Sequence, residues 1–151
     1  MRTIGIMQGR LLPSIDGRIQ AFPWNDWRLE FDLAQELDLG SIEFIFEGPN
    51  VDRHPLIDSA GRKQVKQAIR ETDVDVGSIC ADHFMDRPLH TVSDAEAAEN
   101  VDTLAELVEG AADVGIPTAY IAPPWLSMEA STPSFCRIIL KVSASSSRVV
   151  E

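Results

Sequence analysis

The chain has 151 residues, 44% hydrophobic and 25% charged, with a formal charge of −11. That length and balance suit one soluble domain with an ordinary core, and no apolar run reaches the ~18 residues of a membrane span. The acidic excess argues against a nucleic-acid surface, because phosphate backbones are bound by clustered Lys and Arg.

Four short apolar runs follow in order: Thr3 to Gln8, Ser41 to Glu47, Val76 to Asp82 and Thr118 to Ala122. Each of the first three precedes a helix-like stretch, and a helix that joins two parallel strands is a crossover connection. The rhythm predicts β-α-β-α-β-α-β, which is a parallel (βα)4 half of an eightfold barrel. A flavodoxin-like open sheet, with helices on both faces, is the structural alternative.

In the first helix, Trp27, Phe31, Ala34 and Leu37 make one stripe, with Asn25 or Asp26 as cap and Gly40 as stop. The second, about Gly61 to Thr72, sets Val65, Ala68, Ile69 and Thr72 on one face, capped by Ser59 or Asp58. The third opens on a capping box of Ser93 with Glu96, runs through Val101, Leu104, Val108 and Ala111, and closes at Gly115.

From Ser127 the sequence changes character: acidic residues thin out and serines crowd, ending in Ser145-Ser146-Ser147. Residues 1–126 therefore read as one partial barrel and residues 127–151 as an atypical tail, disordered or truncated, with at most one makeshift helix or strand in Phe135 to Val142; the alternative is an ordinary fourth helix of weak pattern. Cys80 and Cys136 form no CxxC pair or disulfide framework, and the amino-terminal residues are too soon polar for a secretory signal. The expected location is cytoplasmic, with reduced thiols and a buried Cys80.

Chemistry in parallel sheets gathers at the carboxyl ends of the strands. Period-two alternation puts Ile4, Ile6 and Gln8 on one face, Glu43, Ile45 and Glu47 on one face, and Val76, Ser78, Cys80 and Asp82 on one face. If these line one interior, Gln8, Glu47 and Asp82 form its rim, and His83 falls on the other parity. Glu43, amid Ile42, Phe44, Ile45 and Phe46, must find a partner or take up a proton; it is either an acid or base in a cavity or a structural carboxylate. Asp82 beside His83 suits a divalent metal or a sugar hydroxyl, or is a solvated loop pair. His54 and His90, in Pro-containing loops, read as surface histidines. Arg10 and Arg87 with Phe22, Trp24 and Trp27 could form an anion contact and wall over a pocket mouth, although Trp27 fits the helical stripe better. No phosphate-binding glycine loop or serine nucleophile elbow follows any strand.

Four stretches, Ile4 to Pro13, Gln20 to Trp24, Ile42 to Glu47 and Ser78 to Met85, resemble the amino-terminal half of sugar phosphate isomerase/epimerase proteins of the xylose-isomerase-like TIM barrel superfamily. The resemblance covers about Met1 to Ile121. It implies a divalent-metal enzyme (Mn, Mg or Zn) that moves a proton between adjacent sugar carbons through an enediolate, with two carboxylates as acid and base. The family draws its principal metal ligands from later strands, to which no residue here corresponds. The residues carried over are Glu43 and Glu47, placed as the catalytic pair, and Gln8, Asp82 and His83 on the substrate side, where Arg10 joins them as the anion contact. The expected partner is a sugar or sugar phosphate, with a second copy or a missing carboxyl-terminal half to complete the barrel. The competing class is a non-catalytic remnant or a self-associating interaction module. A half-barrel leaves one sheet face and two edges uncovered, which favours association.

Overall fold

The computed structural model describes residues 4–18, 20–89, 92–121 and 138–141. The chain is α/β. Strand β1 (Gly5–Met7) leads to helix α1 (Leu29–Glu36), β2 (Ser41–Ile45) to α2 (Ser59–Thr72), and β3 (Asp75–Cys80) to a short α3 (His83–Asp86) and a long α4 (Asp94–Val114). Strands β4 (Thr118–Ile121) and β5 (Ile138–Lys141) complete the described elements. The sheet order is β1-β2-β3-β4-β5, with the first four strands parallel and β5 antiparallel to β4. Among the described strands the order has no reversal, and so no switch point of the doubly wound kind. Helix α1 packs beside α2, and α2 beside α4, in chain order.

Alternation along the strands separates two faces. Ile42, Phe44, Ile79, Ala119 and Ile121 bury fully or nearly so under the helices. Ser41, Glu43, Ser78, Cys80, Thr118 and Tyr120 lie on the opposite parity and stay half-buried, whereas Ile45 on that parity is buried. The core continues through Phe22, Trp27, Phe31, Leu56, Val65, Leu107 and Ala111. Removing this apolar area from water is the main favourable term holding helices to sheet.

Two face assignments from simple alternation are corrected. The pairing shifts between Ile42 and Glu43, so that Ile42 stands opposite Val76 and Glu43 opposite Ser78. Gly77 is the extra residue, and a bulge of this kind reverses the parity of everything beyond it. Val76 therefore joins the helix side, while Ser78 and Cys80 share the face of Glu43. In β1, Met7 pairs with Glu43 and Ile6 with buried Ile42. Ile6 thus points to the helices, and Gln8 follows its parity, away from Glu43.

The helices start and stop for slightly different reasons than expected. Helix α1 begins at Leu29 without a side-chain cap, and Asp38, at φ 56°, takes the left-handed position after it in place of Gly40. Leu37 is 61% exposed, because the helix has already ended at Glu36. Asp58 caps α2 by accepting from Gly61 N at 2.8 Å. In α4 both halves of the Ser93–Glu96 box are formed and Gly115 closes the helix at φ 92°. Its buried stripe is Asn100, Leu104, Leu107 and Ala111; Val101 is exposed and Val108 only half-buried.

Strand β5 lies within the span Phe135 to Val142 and covers the outer edge of β4. One expected open edge is therefore closed, and the other, at β1, has no partner strand among the described residues. The remainder of residues 127–151, Cys136 and His90 lie outside the described residues. No helix among the described residues is long and apolar enough to cross a membrane.

Candidate functional site on the open face and strand ends

The face away from the helices carries a polar row set by register. Met7, Glu43 and Ser78 stand side by side on β1, β2 and β3, and Ile45, Cys80 and Tyr120 form the next row toward the carboxyl ends. Glu43 Oε1 accepts from Ser78 Oγ at 2.8 Å. Cys80 Sγ donates to Asp82 Oδ1 at 3.1 Å, so the thiol is half-buried and turned toward the rim. Asp82 precedes α3 without capping it by its side chain.

Glu47, just past β2, is held on both oxygens. Oε1 accepts from Phe22 N at 3.0 Å, and Oε2 takes Arg18 Nη1 at 2.9 Å. It ties the segment after β1 to the end of β2. The face thus gathers Glu43 with Ser78, and Asp82 with Cys80, while Glu47 stands at the rim bound to Arg18.

Gln8 and His83 occupy other positions. Gln8 is fully buried, its Oε1 accepting from Ile45 N at 3.1 Å, so it fastens the end of β1 to β2. His83 is nearly buried between Phe46 and Phe84, with Nδ1 on Gly48 O at 3.1 Å. Burial holds its imidazole pKa below the usual range. Arg10 is exposed and donates to Gln20 Oε1 at 2.6 Å; Gln20 in turn donates to Met7 Sδ. Arg87 is exposed, and Trp24 is 37% exposed over buried Phe22.

His54 is corrected from a surface residue to a core one. It is fully buried among Phe22, Phe44 and Phe46. Nδ1 accepts from Leu56 N at 3.2 Å and Nε2 lies 3.1 Å from Ile45 O, which assigns a neutral ring with the proton on Nε2. Desolvation lowers its pKa to about 3. The adjacent Pro55 and Leu56 are buried as well, so the segment enters the core, which local composition alone does not distinguish from a surface loop.

Glu30 is a buried carboxylate that the sequence patterns did not single out. It is 1% exposed, in the first turn of α1, and Oε1 accepts from Gly9 N at 2.7 Å and Leu11 N at 3.4 Å. Burial raises its pKa to about 7 against the opposing pull of those two amides and of Gln8. The available signal was its spacing, three residues after Trp27 and four before Ala34, which places it on the stripe facing the sheet. Gly9, at φ 82°, brings the chain so close to Ala21 that a Cβ would lie 2.5 Å from the Ala21 carbonyl oxygen, so the loop admits only glycine there.

Among the described residues no group of three His, Cys, Asp or Glu side chains converges as a metal site. Glu43, Glu47 and Asp82 are engaged instead by Ser78, Arg18 and Cys80. No family model matches this chain, and no curated protein does either.

Proposed function

We propose that this chain supplies the first four β-α units of a xylose-isomerase-like TIM barrel and descends from sugar phosphate isomerases or epimerases. The observation that carries this reading is the unreversed parallel order β1 to β4, with the helix-side residues buried and a polar row, Glu43, Ser78, Cys80 and Asp82, on the other side. An interior-facing row of polar groups near strand ends is what barrel chemistry uses.

In this reading Glu43 is the base. Its carboxylate takes the proton from the hydroxyl-bearing carbon beside the sugar carbonyl; the C–H electron pair becomes the C=C bond and the carbonyl pair passes to its oxygen, giving the enediolate. The proton on Glu43 exchanges with solvent before one is delivered to the neighbouring carbon, while the hydroxyl proton passes by way of Glu47 to the former carbonyl oxygen. Ser78 holds the carboxylate in place, which favours proton transfer by keeping the acceptor aligned. Glu47, tied to Arg18 and Phe22 N, serves as the second carboxylate at the rim. Arg10 is available to a phosphate, Asp82 to sugar hydroxyls, and Gln8 and His83 hold the strand ends on which these groups sit. A divalent cation, when bound in the family, stabilises the developing alkoxide; its ligands come from strands beyond these four.

The test is deuterium exchange from heavy water into the carbon next to the carbonyl of ketoses and ketose phosphates, followed by NMR with and without Mn²⁺. The unaltered chain is expected to promote exchange, and Glu43→Gln to reduce it by about 10²-fold or more. A chain that promotes no exchange under either condition overturns the catalytic reading.

A second reading, a self-associating module without catalysis, is favoured by one observation. Strand β5 runs antiparallel along the outer edge of β4, where a fifth parallel strand of a barrel would pair. Absence of exchange together with a stable oligomer supports that reading.

A further inference from the structure

Glu30 and Gln8 together form a buried polar pair with one atom each left over. Gln8 is fully buried and Glu30 is 1% exposed, and Gln8 Nε2 and Glu30 Oε2 have no hydrogen-bond partner of ordinary geometry among the described residues. One is a donor and the other an acceptor, and Gln8 is close enough for its amide to favour the ionised carboxylate. Their other atoms are committed: Glu30 Oε1 to the amides of Gly9 and Leu11, which flank Arg10, and Gln8 Oε1 to Ile45 N at the end of β2.

Among the described residues no cation pairs with this carboxylate. Arg10 on the loop donates to Gln20, and Arg28 before α1 donates to Glu71. Asp32 on α1 is exposed. Glu43 bonds Ser78 across the open face, and Glu47 bonds Arg18 and Phe22 N. A carboxylate buried without a positive partner pays for desolvation in its charged form, so its proton is held unusually firmly.

We propose that Glu30 is a proton-operated clamp on the Gln8–Leu11 loop. Ionised, it grips the two amides beside Arg10 and leaves Gln8 holding Ile45; protonated, it obliges Gln8 to turn its amide and release the Ile45 N–H. The chemistry follows from donor and acceptor types. A proton from solvent on Oε2 makes that oxygen a donor facing the Gln8 NH₂, which is also a donor. Turning the amide presents its oxygen to the new O–H, but the NH₂ then faces the Ile45 N–H, and that bond is lost. A single proton is thereby felt from α1, through the end of β1, to the end of β2, where Glu47 stands. Because the pKa of Glu30 lies at about 7, the clamp changes state near neutrality.

The experiment needs no substrate and stands apart from the catalytic reading. ¹H–¹⁵N spectra of the full chain are recorded from about pH 5 to 9, a window that brackets an ordinary carboxyl and the raised one. The amides of Gly9, Leu11 and Ile45 are expected to shift with one common midpoint near neutral. Glu30→Gln abolishes all three titrations, whereas Gln8→Met leaves those of Gly9 and Leu11 and removes that of Ile45. Amides that stay still in the unaltered chain overturn the proposal, and so does an Ile45 titration that survives either substitution. Should Glu30→Gln fail to fold, the ¹³C resonance of the Glu30 carboxyl in the unaltered chain decides: a midpoint below about 5, the ordinary carboxyl range, overturns the clamp.

Discussion

Two buried ionisable residues, His54 and Glu30, give the fold opposite responses to pH. His54 is kept neutral, its pKa lowered from 6.5 to about 3, so the unfolded chain binds the extra proton. Its contribution is present above about 6.5 and is lost as pH falls toward 3. Glu30 has its pKa raised from 4.5 to about 7, so the folded chain holds the proton more tightly. Its contribution is full below about 4.5 and is lost as pH rises through 7. Between about 4.5 and 6.5 these two contributions oppose each other. Denaturant titrations across pH check this: Glu30→Gln should remove the decline on approach to neutrality. His54→Phe should lower stability by about 2 kcal/mol, by stranding the Ile45 carbonyl and the Leu56 amide, and weaken the acid decline. Neither residue announced itself. Glu30 looks like an acidic first-turn residue, and His54 like a loop histidine between Arg53 and Pro55. Burial of a polar group depends on what lands on top of it, which a one-dimensional pattern does not contain. Glu43 was legible, because a carboxylate inside an apolar strand run needs a partner wherever the strand goes, and Ser78 supplies it.

At the scale of elements, termini with side-chain signals were readable and termini without them were not. The Ser93–Glu96 box and Gly115 bound α4 as expected, since each satisfies backbone groups that the helix itself leaves unpaired. Ser93→Ala is expected to cost about 1 kcal/mol, measured by thermal or denaturant unfolding, because the Glu96 amide loses its acceptor. Helix α1, with no side-chain cap, begins two residues later than a cap at Asp26 would place it. The docking of α4 is set by a close approach at Gly110, where an added Cβ would lie 1.9 Å from Leu56 O. That contact is with backbone, so relief requires moving the whole helix; Gly110→Ala is expected to destabilise the fold by about 3 kcal/mol, read from the denaturation midpoint. Arg62 donates to Leu56 O at 3.0 Å and Ile57 O at 2.7 Å, fastening the same segment to α2. The bulge at Gly77 is the element-scale feature that alternation misses, because one inserted residue exchanges the two faces without altering hydrophobic content.

For the whole molecule, the described residues leave β1 without an outer neighbour and one sheet face only half-buried, while β5 closes the edge at β4. An unpaired edge invites pairing with another chain. Sedimentation is expected to show concentration-dependent association, and a charged residue in β1, Ile6→Lys being inward-facing and Met7→Lys open-faced, separates its routes. Met7→Lys should disperse the oligomer without unfolding it, whereas a monomer at every concentration removes the association. The sequence by itself determined the order of the four parallel strands with helices between them, their α/β class and the helix stop at Gly115, because hydrophobic period and capping chemistry are local. Only the tertiary structure decided which face Gln8, Val76 and Ser78 take, that His54 and Glu30 are buried, and that β5 returns antiparallel. Those outcomes depend on register between strands and on packing across the core, and both are interactions between residues far apart in the chain.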